Sequence, residues 1–323
     1  MNRKWNSILV KKARPQRTAI AIAAAGLSAV CLFSVSTPNA AIASPDPTPP
    51  APPSSISLTG VVRDFKERTV QNGHPDFEIT PTHGFGHYCG AISADLGSDR
   101  KPVFIGGGFK VKAGSTYEWR NSAGKNICWR LYDPARGDLI GKKDGTYIDN
   151  GGITSATSFG KWFNDEPGTN LSSPLTLVLN RTADGSYVFD STIDPQCVAV
   201  GGFFPIEGQL FGNPGGSPNR NFHFTYELHT EFTYDSDGSQ IFIFRGDDDV
   251  WVYVNDRLVI DLGGVHGAVE QRVELNRLGL TDGETYKLDF FFAERHRTQS
   301  NFRIQTNLQL HTAEIPSVTS AFD

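Results

Sequence analysis

From Ile56 to Leu310 the apolar residues come in short runs broken by turn residues, and no stretch sustains the 3.6-residue period of a long amphipathic helix. That patterning constrains the fold more than any other feature. Short runs rich in Val, Ile, Phe, Tyr and Thr between Gly, Asn and Asp are strand signals, so the chain is expected to be all-β, an antiparallel β-sandwich or barrel. The C-terminal half is the clearest. Val250–Val254 and Leu258–Ile260 flank Asn255-Asp256-Arg257, residues that tolerate the positive φ of a tight hairpin turn. Asp282-Gly283 marks another turn before Tyr286–Phe292. In the last run Phe302, Ile304, Leu308 and Leu310 share one face, and Arg303, Gln305, Asn307 and Gln309 the other. Earlier strands are expected at Leu175–Leu179, Tyr187–Phe189 and Phe222–Leu228, whereas Tyr88 to Asn170 reads mostly as loops.

The N-terminus has a different character. Basic residues from Arg3 to Arg17 precede an apolar run from Ala19 to Val35, and Ala41-Ile42-Ala43 has the small residues of a cleavage site. This is the tripartite pattern of a secretory signal, too Ala-rich and short for a permanent membrane span. The expected organisation is a signal over 1–43, a Pro-rich linker over 44–55, one β domain over 56–311 and a tail over 312–323. The protein is expected to be secreted, with no stable membrane insertion. The signal holds six basic residues and no acidic one, so the remainder is six units more negative than the −5 of the whole chain. Such a surface is poorly suited to nucleic acid and well suited to cations and neutral ligands. Cys89, Cys128 and Cys197 remain, enough for one disulfide and a spare thiol. Cys89 with Cys128 is the expected pair.

Asp247-Asp248-Asp249 lies between two apolar runs, Ile241–Phe244 and Val250–Val254. Adjacent carboxylates repel unless something positive compensates them, and a hard cation such as calcium does so with oxygen ligands. In a regular strand Asp247 and Asp249 point one way and Asp248 the other. If Asp247 and Asp248 share one ion, the peptide between them is expected to depart from the ordinary, a cis bond being one route. Between the last two strands, Glu294-Arg295-His296-Arg297-Thr298-Gln299-Ser300-Asn301 forms a polar loop at an end of the sheet. There Asn301 or Ser300 is a candidate to complete a cation shell, and Arg295 and His296 are candidates to hydrogen-bond a ligand. His266, after Gly263-Gly264, is a candidate rim residue.

Other constellations are weaker. His83, His87 and Cys89 have zinc-ligand chemistry, but Gly84, Gly86 and Gly90 argue against the helix that would converge two histidines four apart. Asp235-Ser236-Asp237-Gly238 starts like a calcium loop and lacks its closing ligands, so it reads as a turn. There is no nucleophile elbow, HExxH or phosphate-binding loop. A carboxylate pair such as Asp248 and Glu294 could in principle hydrolyse a glycosidic bond, but carboxylates are common, and no catalysis is expected.

Three stretches, Gly246–Val254, Leu258–His266 and Phe291–His296, together resemble the fibro-slime family. Arg63-Asp64-Phe65, His74–Glu78, Trp162–Asp165 and Phe203–Ile206 resemble the same family, so the likeness spans most of the chain. That family is a branch of the protective-antigen fourteen-kilodalton (PA14) domain superfamily. The resemblance implies a β-sandwich or barrel of the kind found in adhesins and flocculins. It also implies calcium held by an Asp-Asp pair joined by a cis peptide, with a loop asparagine completing the shell and the ion gripping sugar hydroxyls. Asp247 and Asp248 match the pair, Asp249 replaces the superfamily's following glycine, and Asn301 is the candidate asparagine. Asp249, His266, Glu294, Arg295, His296 and Ser300 are the remaining candidate ligand contacts. The partners so implied are extracellular or cell-surface glycans. A structural or matrix protein using calcium only for stability is the alternative. Trp251 is a candidate sugar platform, although its place in an alternating strand favours the core.

Overall fold

The computed structural model of the protein describes residues 51–314; the signal segment, the linker up to residue 50 and the tail from 315 lie outside the described residues. Strands form at β1 (Ser55–Phe65), β2 (Tyr88–Cys89), β3 (Phe109–Lys110), β4 (Asn170–Arg181), β5 (Tyr187–Asp190), β6 (Phe224–Thr233), β7 (Ile241–Gly246), β8 (Asp249–Val254), β9 (Arg257–Leu262), β10 (Val269–Glu274), β11 (Thr285–Glu294), β12 (Phe302–Thr306) and β13 (His311–Glu314). Two short helices, α1 (Ala156–Phe159) and α2 (Pro195–Val200), interrupt them. As expected, Tyr88 to Asn170 is mostly loop. β13 pairs with β6, which continues the sheet past residue 311.

Eleven strands make one sheet in the order β10-β7-β12-β5-β4-β1-β6-β11-β8-β9, with β13 beside β6. Its pairings are antiparallel. The two ends of this order meet through a side chain. Gln271 of β10 accepts from the Asp261 amide of β9 at 3.0 Å and donates to the Asp261 carbonyl at 3.4 Å. The sheet is therefore an antiparallel barrel, nearly closed along a β9–β10 seam.

Every residue of β8 is buried. Strand alternation explains how that is satisfied on both faces. Val250, Val252 and Val254 point into the barrel with Leu288, Phe290, Phe292 and Phe302. Trp251 and Tyr253, with Phe291 and Ala293 of β11, face outward and are covered by Ile153, Phe159, Trp162 and Phe163 from the loop-rich region. Each such aromatic contributes roughly 2 kcal/mol by leaving water. Trp251 is 1% exposed and packs on Phe159 and Trp162, so it belongs to this outer core and is not a sugar platform. The hairpin turn is as read, with Asn255 and Asp256 at φ 50° and 62°.

The cysteines depart from expectation. Cys89, Cys128 and Cys197 are free and buried, and the expected Cys89–Cys128 bond is not formed. The Cys89 thiol instead donates to the Asp261 carbonyl at 3.5 Å and lies 3.1 Å from His87 Nε2.

Candidate functional site

Three connections gather at one end of the barrel: β7 to β8, β9 to β10 across the seam, and β11 to β12. Register decides what each brings. Phe302 pairs with Gly246, so Asn301 stands abreast of Asp247. Ala293 pairs with Asp249, so Glu294 stands abreast of Asp248. Between the two strands, the Asp247–Asp248 peptide is cis.

The contacts follow this register. Asp247 accepts from the Asn301 backbone amide at 2.5 Å and from Asn301 Nδ2 at 2.8 Å. Asp248 accepts only from backbone amides, those of His266 and Arg295, each at 3.2 Å. Gly246 is the joint that lets β7 and β12 meet here. A Cβ on it would lie 2.2 Å from the Asn301 carbonyl oxygen. A pocket of about 340 Å³ opens over the aspartates, lined by Phe85, Asp247, Asp248, Val265, His266, Gly267, His296, Thr298 and Gln299.

Residues 213–320, which contain all three connections, match the PA14 domain family. The chain carries a PA14 domain. Among curated relatives, protein psiD of Dictyostelium discoideum is 34% identical over 264 residues, which is 79% of this chain and 42% of psiD. Protein psiC of the same organism is 33% identical over 81% of this chain and 42% of its own length. Protein psiI is 43% identical over 45% of this chain and 20% of its own. The chain thus spans about two fifths of psiD and psiC and less of psiI. Among solved structures, a β-glucosidase from Kluyveromyces marxianus in complex with glucose aligns over 28% of this chain and 11% of its own. At 17% identity and a TM-score of 0.20 that likeness is too small to bear on fold or function.

Within the PA14 domain, strand parity divides the candidate residues into two sets. Asp247 and Asp248 reach the pocket. Asp249 does not, because as the first residue of β8 it shares the outer face of Trp251. There Arg295, one residue past β11, meets it with Nε at 2.5 Å and Nη2 at 3.1 Å. The same guanidinium donates to the carbonyls of Asp76 (3.2 Å), Gly151 (3.0 Å) and Gly152 (3.4 Å), and lies over the Trp162 ring. Arg295 is 0% exposed. The expectation that Asp249 and Arg295 touch a ligand is therefore corrected: they neutralise each other inside the fold. Ser300 is also turned away, its buried hydroxyl donating to the Phe203 carbonyl at 2.7 Å.

Glu294 lies on the inner face with Asp248. It is 0% exposed, and neither carboxylate oxygen accepts a well-formed hydrogen bond; the Ser300 hydroxyl and the His296 amide lie near enough to ease its charge only in part. Burial, then the charges of Asp248 and Asp247, push its carboxyl well above the ordinary range. Burial and then Asp249 do the same for Asp248. Asp247 is raised by burial, against which the Asn301 donors work. His266 lines the pocket. Its Nδ1 lies 2.9 Å from the Gly267 carbonyl, which can only accept, so Nδ1 carries the proton and the buried Nε2 is left without a partner. Burial lowers its pKa to about 3, so the ring is neutral. His296 sits at the rim, its Nδ1 donating to the Arg297 carbonyl and its ring edge-on to Phe85.

The donors at this end are oxygens, the class calcium takes: Asp247, Asp248 and, with Nδ2 given to Asp247, the side-chain oxygen of Asn301. An uncompensated buried carboxylate behind them is what a site built for a cation would hold. The zinc reading finds no support. His83 Nδ1 pairs with Asp149, and His87 with Glu118, in separate contacts. Among the described residues, Glu67, Glu78 and His223 do bring three ligand atoms within 4.8 Å of one another. Arg297 already bonds both of those glutamates, at 2.6 Å to Glu67 and 3.0 Å to Glu78, and His223 bonds Glu78. Phe85, Val265, Thr298 and Gln299 were not legible as site residues, because neighbouring loops bring them to the pocket without any local pattern.

Proposed function

We propose that this PA14 domain is a secreted, calcium-dependent carbohydrate-binding or adhesive module. The observation that carries the reading is the meeting of the adjacent Asp247 and Asp248 side chains in one pocket. Among the described residues, no lysine or arginine side chain hydrogen-bonds either carboxylate there. A divalent ion there would be held by Asp247, Asp248 and the Asn301 oxygen, and it would present open coordination positions to vicinal hydroxyls of a sugar. Phe85, 49% exposed at the rim, offers an apolar face for a sugar ring, a role closed to the buried Trp251. Glu294 supports no catalytic role, since its full burial keeps a glycosidic oxygen out of reach. Among the described residues no helix is long and apolar enough to cross a membrane.

The test is binding of the purified protein to a broad glycan panel in calcium and in chelator. Signal in calcium only, lost in Asp248→Asn, is the expected result. The second reading, calcium as a stiffener of the fold, draws on the burial of both aspartates, 2% and 4% exposed. Calcium-dependent thermal stability with no glycan signal would favour it.

A further inference from the structure

We propose that Glu294 is a working part of the cation site, a third carboxylate behind the Asp247–Asp248 pair whose charge strengthens the hold on a hard cation. The inference rests on the reading of that pair as a cation site and adds a residue to it.

Four observations converge. Both Glu294 oxygens are buried without a well-formed hydrogen bond, a state that native interiors seldom keep unless something absent from the protein chain completes it. The side-chain donors around it make their good hydrogen bonds elsewhere: Ser300 to the Phe203 carbonyl, Asn301 Nδ2 to Asp247, and the Arg295 guanidinium to Asp249 on the opposite face of the sheet. Only the His296 amide and the nearby Ser300 hydroxyl offset its charge, and in part. Register places Glu294 abreast of Asp248, so it aims at the same end of the barrel. Finally, Asp249 has its own countercharge in Arg295, which leaves Asp247, Asp248 and Glu294 as three acidic groups without one. The three do not close into a group with every ligand atom within 4.8 Å of the others. Glu294 therefore acts through its charge from behind the pair, as a positioning and attracting group. A site of this kind favours higher positive charge, so a trivalent lanthanide should gain more from Glu294 than calcium does.

The experiment is calorimetric titration of calcium and of terbium into wild-type protein, Glu294→Gln and Asp248→Asn, with thermal unfolding of each in chelator. Glu294→Gln should bind calcium about tenfold or more weakly, with a larger loss for terbium. Its unfolding midpoint in chelator should equal or exceed that of wild type, because an uncompensated buried carboxylate has been removed. A purely structural glutamate would behave oppositely. Unchanged affinities in Glu294→Gln, or a lower midpoint in chelator, would overturn the proposal; Glu294→Met gives the same discrimination without a buried amide. If Asp248→Asn loses binding while Glu294→Gln keeps it, only the role of Glu294 fails. If wild-type protein binds neither ion, the cation site itself fails.

Discussion

Replacing Arg295 with lysine separates a ligand-binding arginine from one that holds the fold. The guanidinium makes five hydrogen bonds: two to Asp249 and three to the carbonyls of Asp76, Gly151 and Gly152. A lysine ammonium has three donors from a single point and cannot reproduce the fork on Asp249. At least two buried acceptors are then left unpaired, at about 1–3 kcal/mol each. Packing against Trp162 is weakened as well. The sum, about 3–5 kcal/mol, matches what is typical when a buried ion pair loses one partner. For a domain of this size each kcal/mol moves the unfolding midpoint by about 2–4 °C, so a fall of roughly 10 °C is expected. Urea titration and thermal unfolding in chelator, followed by Trp fluorescence, read both quantities without involving any ligand. A midpoint within about 0.5 kcal/mol of wild type would refute the assignment. Loss of glycan binding at unchanged stability would instead return Arg295 to the pocket.

The remaining predictions concern other parts of the same architecture. Glu227 is engaged by Arg63, Lys101 and His229, and His229 also bonds Asp289 at 2.6 Å. Burial raises the Glu227 carboxyl, but His229, Arg63 and Lys101 outweigh it and hold the pKa at about 2. Its contribution is therefore present above the unfolded value of about 4.3 and lost as pH falls towards about 2. Burial lowers His229, and Asp289 and Glu227 outweigh it, so its pKa is raised. That contribution is full below the unfolded value of about 6.5 and fades as pH rises through the folded one. Unfolding midpoints across pH should show a plateau between these limits. His229→Gln should reduce the alkaline decline, leaving the part that belongs to His87, where Glu118 outweighs burial and also raises the pKa. Gly246→Ala would put a Cβ 2.2 Å from the Asn301 carbonyl, so it should weaken calcium binding by calorimetry and lower the midpoint together. Trp251→Ala should cost about 3–5 kcal/mol in urea unfolding without changing which sugars the folded fraction selects. Phe85→Ala should do the reverse, reducing glycan signal while moving the midpoint by no more than about 0.5 kcal/mol.

Period-two alternation in the sequence already specified an antiparallel all-β fold, the β8–β9 hairpin and the strands at either side of the acidic stretch, because one-residue parity sets which side chains share a face. It also singled out Asp247 and Asp248, since adjacent carboxylates between buried strands demand an explanation wherever they occur. Tertiary structure decided the rest. Alternation predicts that Asp248 and Asp249 part, but whether either face is solvent or protein depends on the loops from Tyr88 to Asn170, whose own sequence carries no period. Those loops cover the outer face, so Asp249 and Arg295 become an internal pair and Trp251 a core residue. Asn301 and Glu294 acquire their neighbours only through register across β7–β12 and β8–β11, pairings between segments some fifty residues apart in sequence. Non-local geometry of that kind leaves no local signature, which is why a single chain could name the aspartates but not the pocket around them.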